Sequence, residues 1–405
     1  MEYNLFIGIL LLFSILDVFV LKNKKVVLII FVIILYQLFF GLRGFIAWDW
    51  SHYYPRFLTS IEIFEAIKNG NFIFNTGPSV SYEIGYQVWM SLFKSLTNSY
   101  HIYLFLTTLI DIFVISYVFF KYSPYPIFSI LLFLGFGGLQ IQLDLMRNIK
   151  AIFLFLISLD YLSKNKKIKY LLINILALSF HRTSLLYLPL IFFLRKKIYK
   201  YRKTILFLFG IGIIILIFSN DLLFIVLKKI KEILEYANLN ILNGVKKKLS
   251  SYLLNSYANS RELGIGFIER VGTFILFYTY RKKINNYKYG TIFFNLYLLY
   301  VFTYLYGSGV RIIFERCGLL FIPSYWILYS IILKSMKGYK KLGMFAIIFL
   351  FIILKINKEV NFGTKAKELN EYKNIIFTQE TYEEKKLIFD KVLQRYERNS
   401  NRKNK

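Results

Sequence analysis

Residues YNLFIGILLLFSILDVFVL (3–21), KNKK (22–25) and VVLIIFVIILYQLFFGL (26–42) decide the fold. Two apolar runs flank a lysine cluster, and each run approaches the ~20 residues that a helix needs to cross a bilayer core. The alternation continues at 101–120, 125–143, 147–163, 167–181, 184–194, 204–220, 264–281, 290–307, 311–333 and 343–356. The sequence therefore predicts an all-α polytopic membrane protein with about 12 transmembrane helices. The runs at 184–194 and 343–356 are short, which predicts tilt or re-entry there. The first run reads as a span or an uncleaved anchor, since no small-residue cleavage site follows it.

The basic clusters KNKK, Lys121, KNKKIK (164–169), RKKIYKYRK (195–203), RKKINNYK (281–288) and KSMKGYKK (334–341) follow alternate runs. The positive-inside rule makes them cytoplasmic. The N-terminus and two long loops, 43–100 and 221–263, are then extracytoplasmic. The second loop carries lysines at 228–229 and 246–248, against the rule, but long segments translocate largely regardless of charge. The expected organisation is a multispanning domain, 1–356, and a polar charged tail, 357–405, helical in pattern over 380–397. An even span count puts the tail outside; its basic end, NRKNK, argues for the inside.

A 57% hydrophobic composition and a mean hydropathy of +0.50 exclude an ordinary soluble domain. The net charge of +29 does not indicate nucleic acid, because the lysines punctuate the spans. A single cysteine, Cys317, excludes an internal disulfide, and three histidines argue against a histidine-rich metal site. Arginine is unevenly placed. Of 52 Lys+Arg only 14 are Arg, and Arg43, Arg56, Arg147, Arg182, Arg261, Arg270, Arg311 and Arg316 fall on the predicted outer face. Arginine grips phosphate bidentately and keeps its charge when partly buried. An anionic ligand at the outer leaflet is the natural expectation.

Five segments could carry chemistry. GLRGFIAWDWSHYYPRF (41–57) crowds Arg43, Asp49, His52, Tyr53 and Arg56 at a span end, either as an aromatic belt in water or, as a set, as a ligand-facing rim. SYEIGYQVWMSLFKSL (81–96) places Glu83, Tyr86 and Trp89 at helical spacing, as in an interfacial helix. LQIQLDLMRNIKAIFLFLISLDYL (139–162) puts Asp144, Arg147 and Lys150 at the mouth of an apolar run, where charge is costly and points to function; the lesser alternative is an Asp144–Arg147 pair satisfying itself. LALSFHRTSLLYLPLIFFL (176–194) joins His181 to Arg182, and histidine suits proton transfer near neutrality. YGSGVRIIFERCGLLFIPSYW (306–326) leads from a glycine turn into Arg311, Glu315 and Arg316, a structural Arg–Glu pair or a diphosphate clamp.

In this order the segments resemble the Wzy-like oligosaccharide repeat-unit polymerases, in the EpsG-type subgroup of exopolysaccharide and capsule clusters. The resemblance covers most of residues 1–333 and rests on GLRGFIAWDWSHYY, YEIGY, MRNIKAIFLFLIS, RIIFERCGLLFIP and above all ILALSFHRTSLLYLPLIFF. It implies an enzyme of the bacterial cytoplasmic membrane, with no cofactor, nucleotide or obligatory metal. Such enzymes transfer a growing glycan from undecaprenyl diphosphate to a sugar hydroxyl of the next lipid-linked unit at the outer leaflet. The partners implied are that lipid-linked oligosaccharide and the bilayer, with a flippase and a chain-length regulator beside them. Arg43, Arg147, Arg182, Arg311 and Arg316 are then expected to bind the anionic leaving group, with Tyr53, Tyr86 and Glu315 lining the substrate. His181 is the first candidate base, followed by Asp49 and Glu83. An O-antigen-ligase-like transferase shares this chemistry with another acceptor. A lipid-linked oligosaccharide flippase would instead line both leaflets with charge.

Overall fold

The computed structural model describes residues 2–21, 25–68, 74, 82–218, 222–236, 246, 249–250, 253, 264–360, 367–378 and 380–403. Helix dominates, and no strand occurs among the described residues. The chain divides into two compact units, residues 1–191 with 329–405, and residues 192–328.

In the first unit, α1 (Glu2–Ile15) and α2 (Lys25–Tyr36) each end in a π-helical turn, Leu16–Val20 and Gln37–Gly41. Three short helices fill the first loop: α3 (Trp50–Leu58), α4 (Ile63–Lys68) and α5 (Ile84–Lys94). Then come α6 (Tyr100–Tyr122), α7 (Pro126–Phe133), a kinked π turn (Leu134–Gly138), α8 (Leu139–Leu143), α9 (Met146–Ser163) and α10 (Lys167–Phe180). Helix α6 explains the apolar period. Tyr103, Thr107, Asp111, Ile115 and Phe119 form a buried stripe, while Ile102, Phe113, Tyr117 and Phe120 are exposed. An exposed face that is itself apolar belongs against lipid, not water. Pro126 to Phe136 are buried throughout. The first amides of α7 are capped from a distance: Asp17 Oδ2 accepts from Ile127 N at 2.9 Å and Phe128 N at 3.2 Å.

The expected count of twelve spans is not established. Helical segments coincide with the expected runs, but among the described residues only three are long and apolar enough to cross alone: Glu2–Val20, Tyr100–Tyr122 and Pro126–Leu143. A fourth is a bent pair. The run 311–333, expected as one helix, bends by 43° between Phe314–Phe321 and Pro323–Lys334. Pro323 supplies no amide to continue the ladder and crowds the turn before it. The short run at 184–194 is a 3₁₀ helix, Arg182–Phe192. Its ~2.0 Å rise carries eleven residues further than an α-helix would. The Phe155 and Tyr187 rings stack at 3.7 Å, and Tyr170 donates to the Tyr187 carbonyl at 2.6 Å, so this element lies against α9 and α10.

The second unit contains α11 (Arg202–Phe218), α12 (Leu222–Tyr236), α13 (Ile265–Thr279), α14 (Arg281–Asn285), α15 (Gly290–Gly307) and α16 (Arg311–Phe321). Phe209 and Phe274 stack at 3.5 Å. The Asn295 amide donates to the carbonyls of Leu194 at 2.9 Å and Lys196 at 2.7 Å. Helix α12 occupies the start of the expected loop 221–263; most of the rest, Arg261 included, lies outside the described residues. Helix α17 (Pro323–Lys334) leads back to the first unit, which then adds α18 (Gly338–Val360), α19 (Lys367–Asn370) and α20 (Tyr382–Lys403).

The polar tail docks on the first loop. Gly44 N donates to Lys373 O at 2.8 Å, Ala47 N to Leu369 O at 2.9 Å, and Ile375 N to Leu42 O at 2.9 Å. Tyr382 stacks on Tyr54 at 4.4 Å, and the Phe389 ring lies 5.8 Å from those of Trp48 and Trp50. The tail therefore lies on the same side as the loop bearing Arg43 and Asp49.

Candidate functional site

The site in the first unit is built around Glu83, the N-cap residue of α5. Its Oε2 accepts from Arg147 Nη1 at 2.7 Å, near the start of α9. Its Oε1 accepts from the backbone N–H of Arg182 at 3.2 Å and stands 3.8 Å from Arg182 Nε. One carboxylate thus ties together the first loop, α9 and the end of α10. A close approach makes this possible. A Cβ on Gly85 would stand 2.9 Å from the Ser179 carbonyl oxygen, so only glycine lets α5 sit on α10.

A cationic patch surrounds that carboxylate. The Arg56 and Arg147 guanidiniums lie over the Tyr82 ring, at 4.5 and 4.4 Å from its centroid. Arg147 also hydrogen-bonds the Tyr53 hydroxyl. Its Nε is buried with no hydrogen-bond partner among the described residues, while its side chain keeps 26% exposure. Burial alone would raise the Glu83 carboxyl, but backbone amides and Arg147 outweigh it and hold it low. His52 is pushed down by burial and by the charges of Lys386, Arg56 and Arg147.

Behind this patch, Asp144 Oδ1 accepts from Trp48 N at 2.7 Å and Asp49 N at 3.0 Å. The Asp144–Arg147 pair, the less favoured of the two sequence readings, does not form, because Arg147 turns to Glu83 and Asp144 to the loop. Burial, then the charge of Asp49, push the Asp144 carboxyl up to about 7. Arg43 points inward. It donates to Phe40 O at 2.6 Å, Thr108 Oγ1 at 3.2 Å and Gln142 O at 3.3 Å, beneath the loop. Tyr86 is fully buried, its hydroxyl 2.9 Å from that of Tyr103. Lys150 is buried in an ion pair with Asp111, its ammonium 5.1 Å from the Trp89 ring centroid.

His181 follows α10 and is nearly buried. Its Nδ1 lies 2.6 Å from Thr183 Oγ1 and accepts from Thr183 N at 3.3 Å. An amide can only donate, so Nδ1 is the acceptor and the neutral ring carries its proton on Nε2.

The structure thus gathers Asp49, Tyr53, Glu83, Arg147, Arg182 and His181 in one unit, with Arg43 and Tyr86 beneath them. Arg56 and Asp144, read from the sequence as part of the rim and of the polar mouth, belong with them without having been given a role there. Tyr82 also belongs with them, and nothing in the sequence singled it out. Glu315 and Arg316 lie on α16 of the second unit, Glu315 half-buried and Arg316 exposed; Arg311 opens that helix, its side chain outside the described residues. Arg270 on α13 sits in the same unit among Tyr304, Phe314 and Tyr300, 4.4, 5.3 and 5.9 Å from their ring centroids. Its Nε donates to Tyr300 at 3.2 Å. No cluster of metal-ligating side chains occurs among the described residues.

The EpsG family model matches residues 26–374. Comparison with curated proteins found no match, and neither did comparison with solved structures.

Proposed function

The chain belongs to the EpsG family, and from that premise and the site's geometry we propose that it polymerises oligosaccharide repeat units carried on a lipid diphosphate. It works at the extracytoplasmic face of the bacterial cytoplasmic membrane, with undecaprenyl diphosphate as carrier and exopolysaccharide, capsule or O-antigen as product. The observation that carries this reading is Arg147. It is partly exposed, oriented by Glu83 and Tyr53, and retains a buried Nε without a partner. A fixed guanidinium of this kind suits an anionic leaving group.

In the proposed step, a hydroxyl oxygen of the incoming unit attacks the anomeric carbon of the growing glycan. The bond from that carbon to the diphosphate oxygen breaks, and its electron pair leaves with the diphosphate. Arg147 takes the developing charge, with Arg182 and Arg56 flanking it. Two arginines share one carboxylate and Arg56 adds a third charge over Tyr82, so the patch stays cationic and attracts the donor. Glu83 positions the arginines instead of acting as base, since its low proton affinity makes it a poor acceptor. His181 presents an N–H to the substrate. Asp49 takes the hydroxyl proton, and Asp144 behind it changes charge near neutrality. Arg43 holds the floor of the loop, and Tyr53 orients Arg147. Arg311 and Arg316 on α16, which also carries Glu315, and Arg270 on α13 are assigned to anion binding by the second unit on their charge alone.

The test is complementation of a deletion strain with Arg147→Ala, reading glycan length and the lipid-linked pool at wild-type membrane level. Single units accumulating on the outer leaflet support the reading. Units trapped on the inner leaflet would make the protein a flippase, and full-length polymer would remove Arg147 from the site.

A further inference from the structure

The C-terminal tail meets the first loop at a strained residue. Ala47 has φ +70°, the left-handed region that an alanine rarely adopts. The other non-glycine residue with positive φ among the described residues is Asn165, a type that tolerates it. Such a conformation persists only where its surroundings over-determine it. At Ala47 the surroundings come from two sides. On one, Ala47 N donates to Leu369 O at 2.9 Å, and Gly44 N to Lys373 O at 2.8 Å. On the other, the next two amides, of Trp48 and Asp49, converge on Asp144. Trp50 Nε1 locks the Ala47 carbonyl at 3.1 Å.

The accepting segment of this arrangement is itself anchored. Leu369 and Val392 are fully buried. Lys385, a residue type seldom buried, shows no exposure and donates to Glu368 O at 3.1 Å, tying α20 to the segment before it. Phe389 then closes on Trp48 and Trp50. Helix α20 lies beyond residue 374, where the family match ends.

We propose that the C-terminal segment from Leu369 to Val392 is a positioning element of the site, acting through Ala47 to hold Asp49 and the start of α3 in place. This rests on the reading of the first-unit site given above. The segment touches no reacting atom; it fixes the loop that does.

The experiment uses the full chain in its own membrane. Phe389→Asp unseats α20 from the two tryptophans, and polymerisation should fall about ten-fold at wild-type protein level. Ala47→Gly makes the left-handed conformation accessible without strain. Added to Phe389→Asp, it should restore about five-fold. Because relief of the Ala47 strain also stabilises the fold, thermal midpoints of the three proteins are read alongside, and a rescue that only follows the midpoint assigns the tail to stability alone and overturns the proposal. Should Phe389→Asp fail to accumulate, Tyr382→Ala removes the Tyr54 stack more gently and is read in the same way. A loss that Ala47→Gly leaves unchanged overturns the proposal. A second readout separates this from the reaction itself. With Cys317→Ala and Ser51→Cys, a charged maleimide should label the loop faster in Phe389→Asp and slower again with Ala47→Gly. Labelling that follows this order while polymer is unaffected retains the strap and refutes the assigned chemistry. Labelling unchanged by the tail variant refutes the strap.

Discussion

Gly85→Ala tests the contact on which the arginine patch depends. The new methyl would meet the Ser179 hydroxyl, which can rotate away, and would stand 2.9 Å from the Ser179 carbonyl oxygen, which cannot, where ordinary contact begins at 3.4 Å. Helix α5 must therefore retreat by about 0.5 Å, taking Glu83 with it. The Arg182 amide contact stretches from 3.2 Å to about 3.7 Å and the Nε contact from 3.8 Å to about 4.3 Å, beyond useful reach. The Arg147 bond stretches from 2.7 Å to about 3.2 Å and survives. A hydrogen bond to a charged group contributes about 1.5–3 kcal/mol. The Arg182 side chain is 64% exposed and well screened, so about 1 kcal/mol is the expected loss. That corresponds to roughly five-fold slower polymerisation. The assay is the rate of glycan lengthening in membranes with matched protein levels. In an Arg182→Ala background the side-chain contact is already gone and only the backbone amide of residue 182 remains to be lost, so the same substitution should cost less than it does in the wild type. Fully additive losses, or a wild-type rate for Gly85→Ala alone, would refute the packing argument.

Arg147→Lys keeps the charge but loses the fork and the stacking on Tyr82, so polymerisation should fall by roughly a hundred-fold, measured in the same membranes. Arg56→Lys, further from Glu83, should cost about ten-fold less than that. Asp144 gives a pH signature. Its folded value, about 7, lies above that of the unfolded chain, so the stability it contributes is fully present at low pH and is lost as pH rises through 7. Thermal unfolding in detergent should show stability falling by up to about 1.4 kcal/mol per pH unit between pH 5 and 7, then levelling. Asp144→Asn should flatten that slope, and an unchanged slope would assign the titration elsewhere. Lys150→Met should destabilise by about 3–5 kcal/mol by stranding Asp111, while Lys150→Met with Asp111→Leu should recover most of it; thermal midpoints decide.

The helical class was legible because period and charge placement report it directly. Helix α6 ended within two residues of its expected limits, since Ser99 and Ser123 bound an unbroken apolar run. The break at Pro323 was also written in the sequence, but length and apolarity suggested one helix and outweighed it. The segments that form the site were legible one by one. Their pairing was not. Asp144 and Arg147 stand at ideal helical spacing, yet a chain break at Leu145 parts them and each finds a partner on a distant segment. The close approach at Gly85 and the left-handed Ala47 left no mark that single-residue chemistry could read, because both depend on what the fold brings against them.

Asp17 has a consequence for biosynthesis. Its carboxylate caps an α7 amide 110 residues further along the chain. At ~5–20 residues per second, ribosomes take several seconds to reach that partner. During that interval a carboxylate within the first apolar helix has no α7 to accept from, and lone charge at membrane depth is costly. The first helix must therefore wait in the insertion machinery or at its aqueous margin until α7 emerges. Release into lipid then becomes an event shared by two segments, and Asp17→Asn should let the first helix leave early and alone.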